Sequence, residues 1–493
     1  MGTDRPAGDG EPAAGGSGAD LAGGAPGRLL PAGFSFGVAT AGFQVEGGYN
    51  GPGEPRNNWF EWERRGRVEP SGIAVDFWNG YEAQLDRVAW TGCSSFRMSI
   101  EWARCEPRPG EIDTGALDRY RAILAACHDR GLDPVVTLHH FTHPAWLGPD
   151  FWLDLDAPAR FARWAATASA ALGDLCRRWV TVNEPNIFAV MSYLTGTFPP
   201  GRVAATGHLL RALDGLLAGH VLAADAIRDA RPDAEVGTNT YALGVYEIDR
   251  MLVDVLLARR RGVARGQAGG HLAERRDEWY DAWPAPGRRE RVLRRAAASV
   301  LPLAQALPRA LDAVYRSPHE SSLDAVQVDH YAPDTAAHLV LPGRRTAGGR
   351  VREPVRPLWD DRPDPAALVR YCRAAAEPGL PVQVVENGMC NRVVRGRAFG
   401  RADGWDRPRY LREHLGAVVE LVASGVPVDG YWHWTLADNY EWGSYEPRFG
   451  LFGVDRERGL RWSPLDSMGH DAAGAYRRLI AGLRVGDAGA LAG

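Results

Sequence analysis

Eight short runs rich in β-branched and aromatic residues, spaced by helix-length stretches, constrain this chain more than any other feature. They cover residues 34–40, 94–100, 134–140, 179–184, 235–240, 325–331, 382–386 and 429–434. Between them, 115–130, 157–176, 207–231 and 364–376 are long enough and periodic enough for helices. Strand and helix alternating without a linker predict an α/β chain folded as a single (β/α)8 TIM barrel. The interval from Tyr241 to about Ser322 is too long for one crossover, so extra helices are expected between strands 5 and 6. Residues 1–30, rich in Gly, Ala, Pro and Asp, are expected as a disordered tail, 31–480 as the barrel domain, and 481–493 as a flexible C-terminal tail.

Two of the strand-like runs end in glutamate. Trp179-Val180-Thr181-Val182-Asn183-Glu184 is stopped by Pro185, and Val382-Gln383-Val384-Val385-Glu386 by Asn387-Gly388. Acidic side chains at the C-terminal ends of barrel strands stand where barrel enzymes keep their chemistry. Two facing carboxylates are the minimum equipment for cutting a glycosidic bond, one as acid and one as nucleophile or base. A single such Glu reads most simply as a strand terminator; two with the same grammar do not. Sugar sites also need aromatic platforms, and the last run continues as Gly430-Tyr431-Trp432-His433-Trp434-Thr435-Leu436-Ala437-Asp438-Asn439-Tyr440-Glu441-Trp442. Core packing explains Trp432 or Trp434 but not Glu441 beside Trp442.

The remaining composition removes other function classes. A net charge of -4 argues against a general polyanion binder. Every basic residue is Arg, which reads as a bias of genome composition. Arg259-Arg260-Arg261 and Arg288-Arg289-Glu290-Arg291 lack aromatic interleaving and read as solvated helical faces rather than a nucleic-acid surface. The six cysteines contain no CxxC pair, no apolar run reaches membrane-spanning length, and no basic-then-apolar signal pattern opens the chain; a cytoplasmic protein is expected.

Five segments together carry a resemblance. Phe34-Ser35-Phe36-Gly37-Val38-Ala39-Thr40-Ala41-Gly42-Phe43-Gln44-Val45-Glu46-Gly47 resembles the first-strand signature of glycoside hydrolase family 1, the retaining β-glucosidase family. Ser95-Phe96-Arg97-Met98-Ser99-Ile100-Glu101-Trp102 and Thr137-Leu138-His139-His140-Phe141-Thr142-His143-Pro144 resemble its second and third strands. Thr181-Val182-Asn183-Glu184-Pro185 and Val385-Glu386-Asn387-Gly388 resemble its two catalytic motifs. The resemblance implies Glu184 as acid/base and Glu386 as nucleophile, with Arg97 and Tyr331 touching the nucleophile. It implies Gln44, His140, Asn183, Trp434, Glu441 and Trp442 as the residues that hold the non-reducing sugar. Those roles agree with the chemistry: Arg97 lowers the pKa of a nucleophile that must be ionised, and Glu184 must be protonated to release the aglycone. The family match makes His140 a hydroxyl donor, and no Cys or further His completes a ligand set with His139 and His143, so no metal and no cofactor is expected.

The departures also inform. Asp329-His330-Tyr331 stands where the family usually ends its sixth strand in Asn-Tyr-Tyr, so Asp329 occupies a substrate-binding position as a third carboxylate. It is expected to be compensated by hydrogen bonds or by a basic neighbour such as His330 or Arg97. Val385 replaces the usual Thr, and the turn from Glu441 to Gly450 is one residue shorter than the common form, which weakens any role inferred for Phe449. Glu441 argues against 6-phospho-sugars, because a carboxylate repels the phosphate. Glu rather than Gln at 184 argues against the thioglucosidase variant. The expected function is retaining hydrolysis of a terminal, non-reducing, β-linked neutral hexose. The alternatives are a transglycosidase and a dehydratase-like biosynthetic enzyme reusing the carboxylate pair. The expected partner is a small-molecule glycoside, with no nucleic acid or membrane; oligomeric state is not legible.

Overall fold

The computed structural model describes residues 28–285, 287–301, 307–332 and 357–492. Eight parallel strands close into a barrel: β1 (Ser35–Ala39), β2 (Ser95–Ser99), β3 (Asp133–His139), β4 (Arg178–Asn183), β5 (Glu235–Tyr241), β6 (Val326–Asp329), β7 (Val382–Asn387) and β8 (Val428–Trp434). Each strand pairs with its sequence neighbour and β1 closes on β8. Every predicted run became a barrel strand, with ends shifted by at most a few residues. The expected helices appear as Thr114–His128, Ala157–Leu172, Thr206–Ala230 and Pro365–Ala375. Asp113 and Asp364 start two of them by accepting from the backbone N–H three residues on, a cap worth about 1 kcal/mol.

Alternation along the strands divides the core. Phe96, Met98, Val136, Leu138, Val326, Val328, Val382 and Val384 face the surrounding helices. Ala39, Val135, Val180, Val385 and Trp432 fill the barrel. Trp432 is the floor: a Cβ at Gly37, its register partner on the neighbouring strand β1, would lie 2.2 Å from its indole, so that position must be glycine. Its Nε1 donates to Ser95 Oγ at 3.0 Å.

Between β5 and β6 the extra helices are present as Arg250–Leu257, Ala268–Ala282, Arg288–Val300 and Pro308–Arg316. Arg288, Arg289 and Arg291 are exposed as expected. Arg259, Arg260 and Arg261 are not a solvated face. Arg259 Nη1 donates to the carbonyls of Val314, Ser317 and His319, Arg260 to those of Pro378 and Gly379, and Arg261 binds Glu377 and Asp254. These arginines tie the inserted helices to the β6–β7 side of the barrel, where carbonyls at helix ends need donors.

The expected tails need adjustment. Residues 1–27 lie outside the described residues, and Leu30 is already buried in the core. At the other end the expected boundary at 480 cuts the helix Ala472–Arg484, whose Leu483 is buried, and a 3-10 turn at Ala488–Leu491 follows. Residue 493 lies outside the described residues. Among the described residues, no helix is long and apolar enough to cross a membrane.

Candidate active site

Both strand-end glutamates reach the same point through local irregularity. In a regular pleat Val385 and Glu386 would face opposite sides, and Val385 already points inward. The register of β7 slips against β6 between Val328 and Asp329, and against β8 between Tyr431 and His433. Such slips re-aim side chains, and here Glu386 joins Val385 in the barrel. On the other wall β4 slips against β5 between Val180 and Asn183. Glu184 then adopts φ 39°, ψ 63°, and Pro185 opens the next helix. A left-handed non-glycine residue costs on the order of 1 kcal/mol, met here by Glu184 N–H donating to Asn239 O at 3.1 Å.

Arg97, on β2 and wholly buried, faces Glu386: Nη1 donates to Oε1 at 2.7 Å and to Val385 O at 3.3 Å, Nη2 donates to Asn183 Oδ1, and Nε to Thr137 Oγ1 at 3.2 Å. Tyr331 Oη donates to Glu386 Oε2 at 2.9 Å, and Tyr331 stacks on Tyr241 with ring centroids 5.4 Å apart. Burial pushes the Glu386 carboxyl up, while the Arg97 charge and the Tyr331 bond pull it back. Glu184 lies well above the usual carboxylate range, first through burial and then through the charges of Asp329 and Glu386, with the close approach of Asp329 adding to the rise. Asp329 is fully buried and also well above its range, from burial first and the Glu386 charge second, with Arg97, Glu184 and Asn239 opposing. One carboxylate oxygen from each of Glu184, Asp329 and Glu386 lies within 4.8 Å of the other two.

Around this triad stand the other predicted residues. Gln44 Nε2 donates to Glu441 Oε2 at 3.0 Å and to Asn439 Oδ1 at 3.3 Å, and Trp434 Nε1 donates to Glu441 Oε1 at 3.1 Å. Burial raises Glu441 to about 8, the Trp434 and Gln44 bonds opposing. Asn183 Nδ2 donates to His140 Nε2 at 3.2 Å, which leaves the proton of this neutral imidazole on Nδ1. The His140 ring stacks between Trp434 (5.7 Å) and Trp442 (5.6 Å). Arg97, Asn183, Glu184, Asp329, Tyr331 and Glu386 therefore meet on one side of the barrel mouth, and Gln44, His140, Trp434, Glu441 and Trp442 on the other. Phe449, from the shortened turn, packs edge-on against Tyr331 at 5.9 Å.

A scan against protein families matches the glycosyl hydrolase family 1 model over residues 27–265 and 365–467. The chain belongs to that family. Among its relatives are a β-glucosidase of Agrobacterium sp., 28% identical over 451 residues with 88% of this chain and 92% of the relative covered, and a bifunctional β-D-glucosidase/β-D-fucosidase of Bifidobacterium breve, 29% identical with 92% and 98% covered. Among solved structures, the β-glucosidase of Thermotoga maritima in complex with azafagomine superposes with a TM-score of 0.69 at 22% identity, over 92% of this chain and 99% of that one. That likeness carries the fold.

As a glycoside hydrolase of this family, the protein shows its departure within the unmatched stretch 266–364, which contains Asp329. The expected compensation by His330 does not occur. His330 is buried on the opposite face of β6 against Tyr371, and burial holds its pKa near 3, so it is neutral. Arg97 bonds Glu386 and Asn183 rather than Asp329. The partner that sequence reasoning missed is Asn239 on β5, whose Nδ2 donates to both Asn183 Oδ1 and Asp329 Oδ2. A polar Asn amid the Thr-rich strand end Thr238-Asn239-Thr240 was its only signal. Other motif residues are structural. Asn387 Nδ2 donates to His330 O and its Oδ1 accepts from Tyr431, which locks β6, β7 and β8 together. Gly388 is required because a Cβ there would meet Trp434 O at 2.2 Å. Glu46 binds Tyr49, Arg104 and Tyr120 and so fixes the loop that carries Gln44.

The three carboxylates are spaced closely enough to hold a cation, but Arg97 brings the positive charge to Glu386, and both Glu386 oxygens are already engaged. The set reads as proton-sharing. The three histidines do not converge on an ion either: His139 Nε2 accepts from Trp152 Nε1 at 3.1 Å, and His143 Nε2 bonds Gly148 O.

Proposed function

We propose that this glycoside hydrolase releases a terminal, non-reducing, β-linked neutral hexose, glucose foremost, by a retaining double displacement that needs no cofactor. The observation that carries the reading is the close pair Glu184 and Glu386, with Arg97 and Tyr331 on Glu386 alone. Retaining enzymes hold their carboxyl groups about 5–5.5 Å apart, whereas inverting enzymes leave about 6.5–9.5 Å for a water. Oxygens within 4.8 Å of each other support the shorter class. Glu386, neutralised by Arg97, is the group that ionises first and attacks C1. Glu184, held protonated by burial and by its acidic neighbours, protonates the leaving oxygen.

The sugar pocket supports a hydroxyl-rich ring. Gln44 Oε1, His140 Nδ1 and Asn439 Nδ2 are buried with no hydrogen-bond partner among the described residues, beside the Trp434 and Trp442 indoles. Buried polar atoms normally find partners, and ring hydroxyls would supply them while the indoles take the apolar sugar face. Glu441, whose oxygens accept from Gln44 and Trp434, offers a phosphate no cation, which disfavours a phosphorylated sugar. Six cysteines, all free and buried, accord with a reducing compartment, so we place the activity in the cytoplasm; cell fractionation tests that part.

The deciding experiment is an aryl β-glycoside screen followed by ¹H NMR. Appearance of the β-anomer before mutarotation supports retention, and the α-anomer as first product rejects it. Asp329 favours one second reading, in which the carboxylates carry protons in a non-hydrolytic reaction. Protein inert towards every glycoside, with the site intact, would favour that reading.

A further inference from the structure

Three buried carboxylates share one guanidinium, and the chain divides them unequally. Arg97 and Tyr331 both go to Glu386. Asp329 Oδ2 accepts from Asn239 Nδ2, its buried Oδ1 has no hydrogen-bond donor among the described residues, and a Glu184 carboxyl oxygen lies within 4.8 Å of an Asp329 oxygen. Asn239 Nδ2 is held by Asn183 Oδ1 on its far side, so its direction is set by the same Asn183 that Arg97 grips. Two buried carboxyl groups this close can satisfy the orphaned Asp329 oxygen only with a proton between them, since an ionised carboxylate only accepts.

We infer that Asp329 is a positioning residue for the acid/base: anchored by Asn239, it shares one proton with Glu184 and thereby makes Glu184 the stronger base of the second chemical step. This rests on the retaining-glycosidase reading above. The groups facing Asp329 are Glu184 beyond β4, Asn239 and Tyr241 on β5, Glu386 on β7, Arg97 on β2 and Tyr331 beyond β6. Of these only Arg97 is cationic.

Before cleavage Glu386 and Arg97 cancel, and the Glu184–Asp329 pair holds one proton and one negative charge. In the first step Glu386 attacks C1 while the bond from C1 to the aglycone oxygen breaks. The bonding pair leaves with that oxygen, which takes the proton from Glu184. Glu184 and Asp329 are then two adjacent anions in a buried site, and like charges at this range raise the proton affinity of both. In the second step a water oxygen attacks C1, the ester bond breaks with its pair returning to Glu386, and the water proton passes to Glu184. The proton is again shared with Asp329. The neighbour thus speeds base catalysis and makes Glu184 a weaker acid in the first step.

The test compares the wild type with Asp329→Asn and Asp329→Ser on a dinitrophenyl and an alkyl β-glucoside. The amide of Asp329→Asn can accept from Asn239 and donate to Glu184, so the anchor survives without the charge. The alkaline limb of kcat/KM should move to lower pH by about one unit. Turnover of the dinitrophenyl substrate, limited by the second step, should fall by about tenfold or more, and azide, which needs no base, should restore it. The alkyl substrate, limited by the first step, should lose much less. Superimposable pH profiles, or equal losses on both substrates, would overturn the inference. Wild-type protein inert on all glycosides would overturn the underlying reading instead. A ¹³C carboxyl titration of the wild type, with Glu184→Gln as assignment control, then decides proton sharing by itself. Coupled titration of Glu184 and Asp329 supports it, and independent titration removes it.

Discussion

The two walls of the barrel mouth start from the same sequence grammar and end in opposite electrostatic states. On the β7 wall Glu386 accepts from a buried arginine at 2.7 Å and a tyrosine at 2.9 Å. On the β4 wall Glu184 faces Asp329 and no cation of its own. Both residues are buried, so desolvation pushes both carboxyls up, and the difference lies in the neighbours. Position at a strand end makes a carboxylate available for chemistry; under the proposed mechanism, the partner it meets across the barrel mouth suits it to act as nucleophile or as acid. Two groups with separated proton affinities are what double displacement requires.

The largest test of this contrast is Glu386→Ala. Glycoside hydrolysis should drop by on the order of 10⁴-fold or more, and azide should recover turnover as a glycosyl azide of inverted configuration. Activity unchanged in that variant would remove the β7 wall from the mechanism. Glu184→Ala should follow, with a loss of about 10²- to 10⁴-fold on poor leaving groups and little loss in bond cleavage for dinitrophenyl glycosides, which depart without a proton. Equal loss in glycosyl-enzyme formation for both substrate classes, measured as kcat/KM, would mean that the β4 wall is only a scaffold.

Tyr331→Phe sharpens the comparison without erasing it. One hydrogen bond to a charged acceptor is worth about 1.5–3 kcal/mol, so kcat/KM should fall about 10- to 100-fold. The bond lowers the Glu386 pKa, so its loss should move the acid limb of the profile to higher pH. An acid limb that stays in place would detach Tyr331 from the nucleophile.

The smallest effect concerns the outer face of the same strand. Burial holds His330 near pKa 3, below the value of about 6.5 in an unfolded chain. Its contribution to stability is complete above about pH 6.5 and declines as pH falls towards 3, by up to about 1.4 kcal/mol per pH unit. Urea unfolding of His330→Phe from pH 7 to 5 should show a shallower loss of stability than the wild type. Identical slopes would mean that His330 charges in the folded state.

Most of the architecture was legible because it is written in local chemistry. Short runs rich in β-branched and aromatic residues marked all eight strands, helix-length stretches marked the crossovers, and Pro185 and Asn387-Gly388 ended the runs that carry the glutamates. Glu441 could be singled out because core packing does not explain a carboxylate beside Trp442, whereas Arg97 and Tyr331 were legible through the resemblance to the family. Asn239 was not legible, since an Asn beside threonines looks like a strand end until its neighbours across β4 and β6 are known. The solvated reading of Arg259–Arg261 failed for a related reason: an arginine run does not reveal which distant carbonyls and carboxylates will surround it.

The sequence by itself determined a (β/α)8 barrel, two strand-end glutamates, an aromatic and acidic cluster after the eighth strand and a third carboxylate at 329. Only the tertiary structure decided which carboxylate receives the guanidinium and which an acidic neighbour. That choice depends on register slips in β4 and β7 that turn Glu386 inward and set Glu184 beside Asp329. It also depends on one buried guanidinium that hydrogen-bonds Glu386 and acts on Asp329 only through its charge. In a buried site, interaction energy depends so steeply on distance and desolvation that charge assignment belongs to geometry rather than composition.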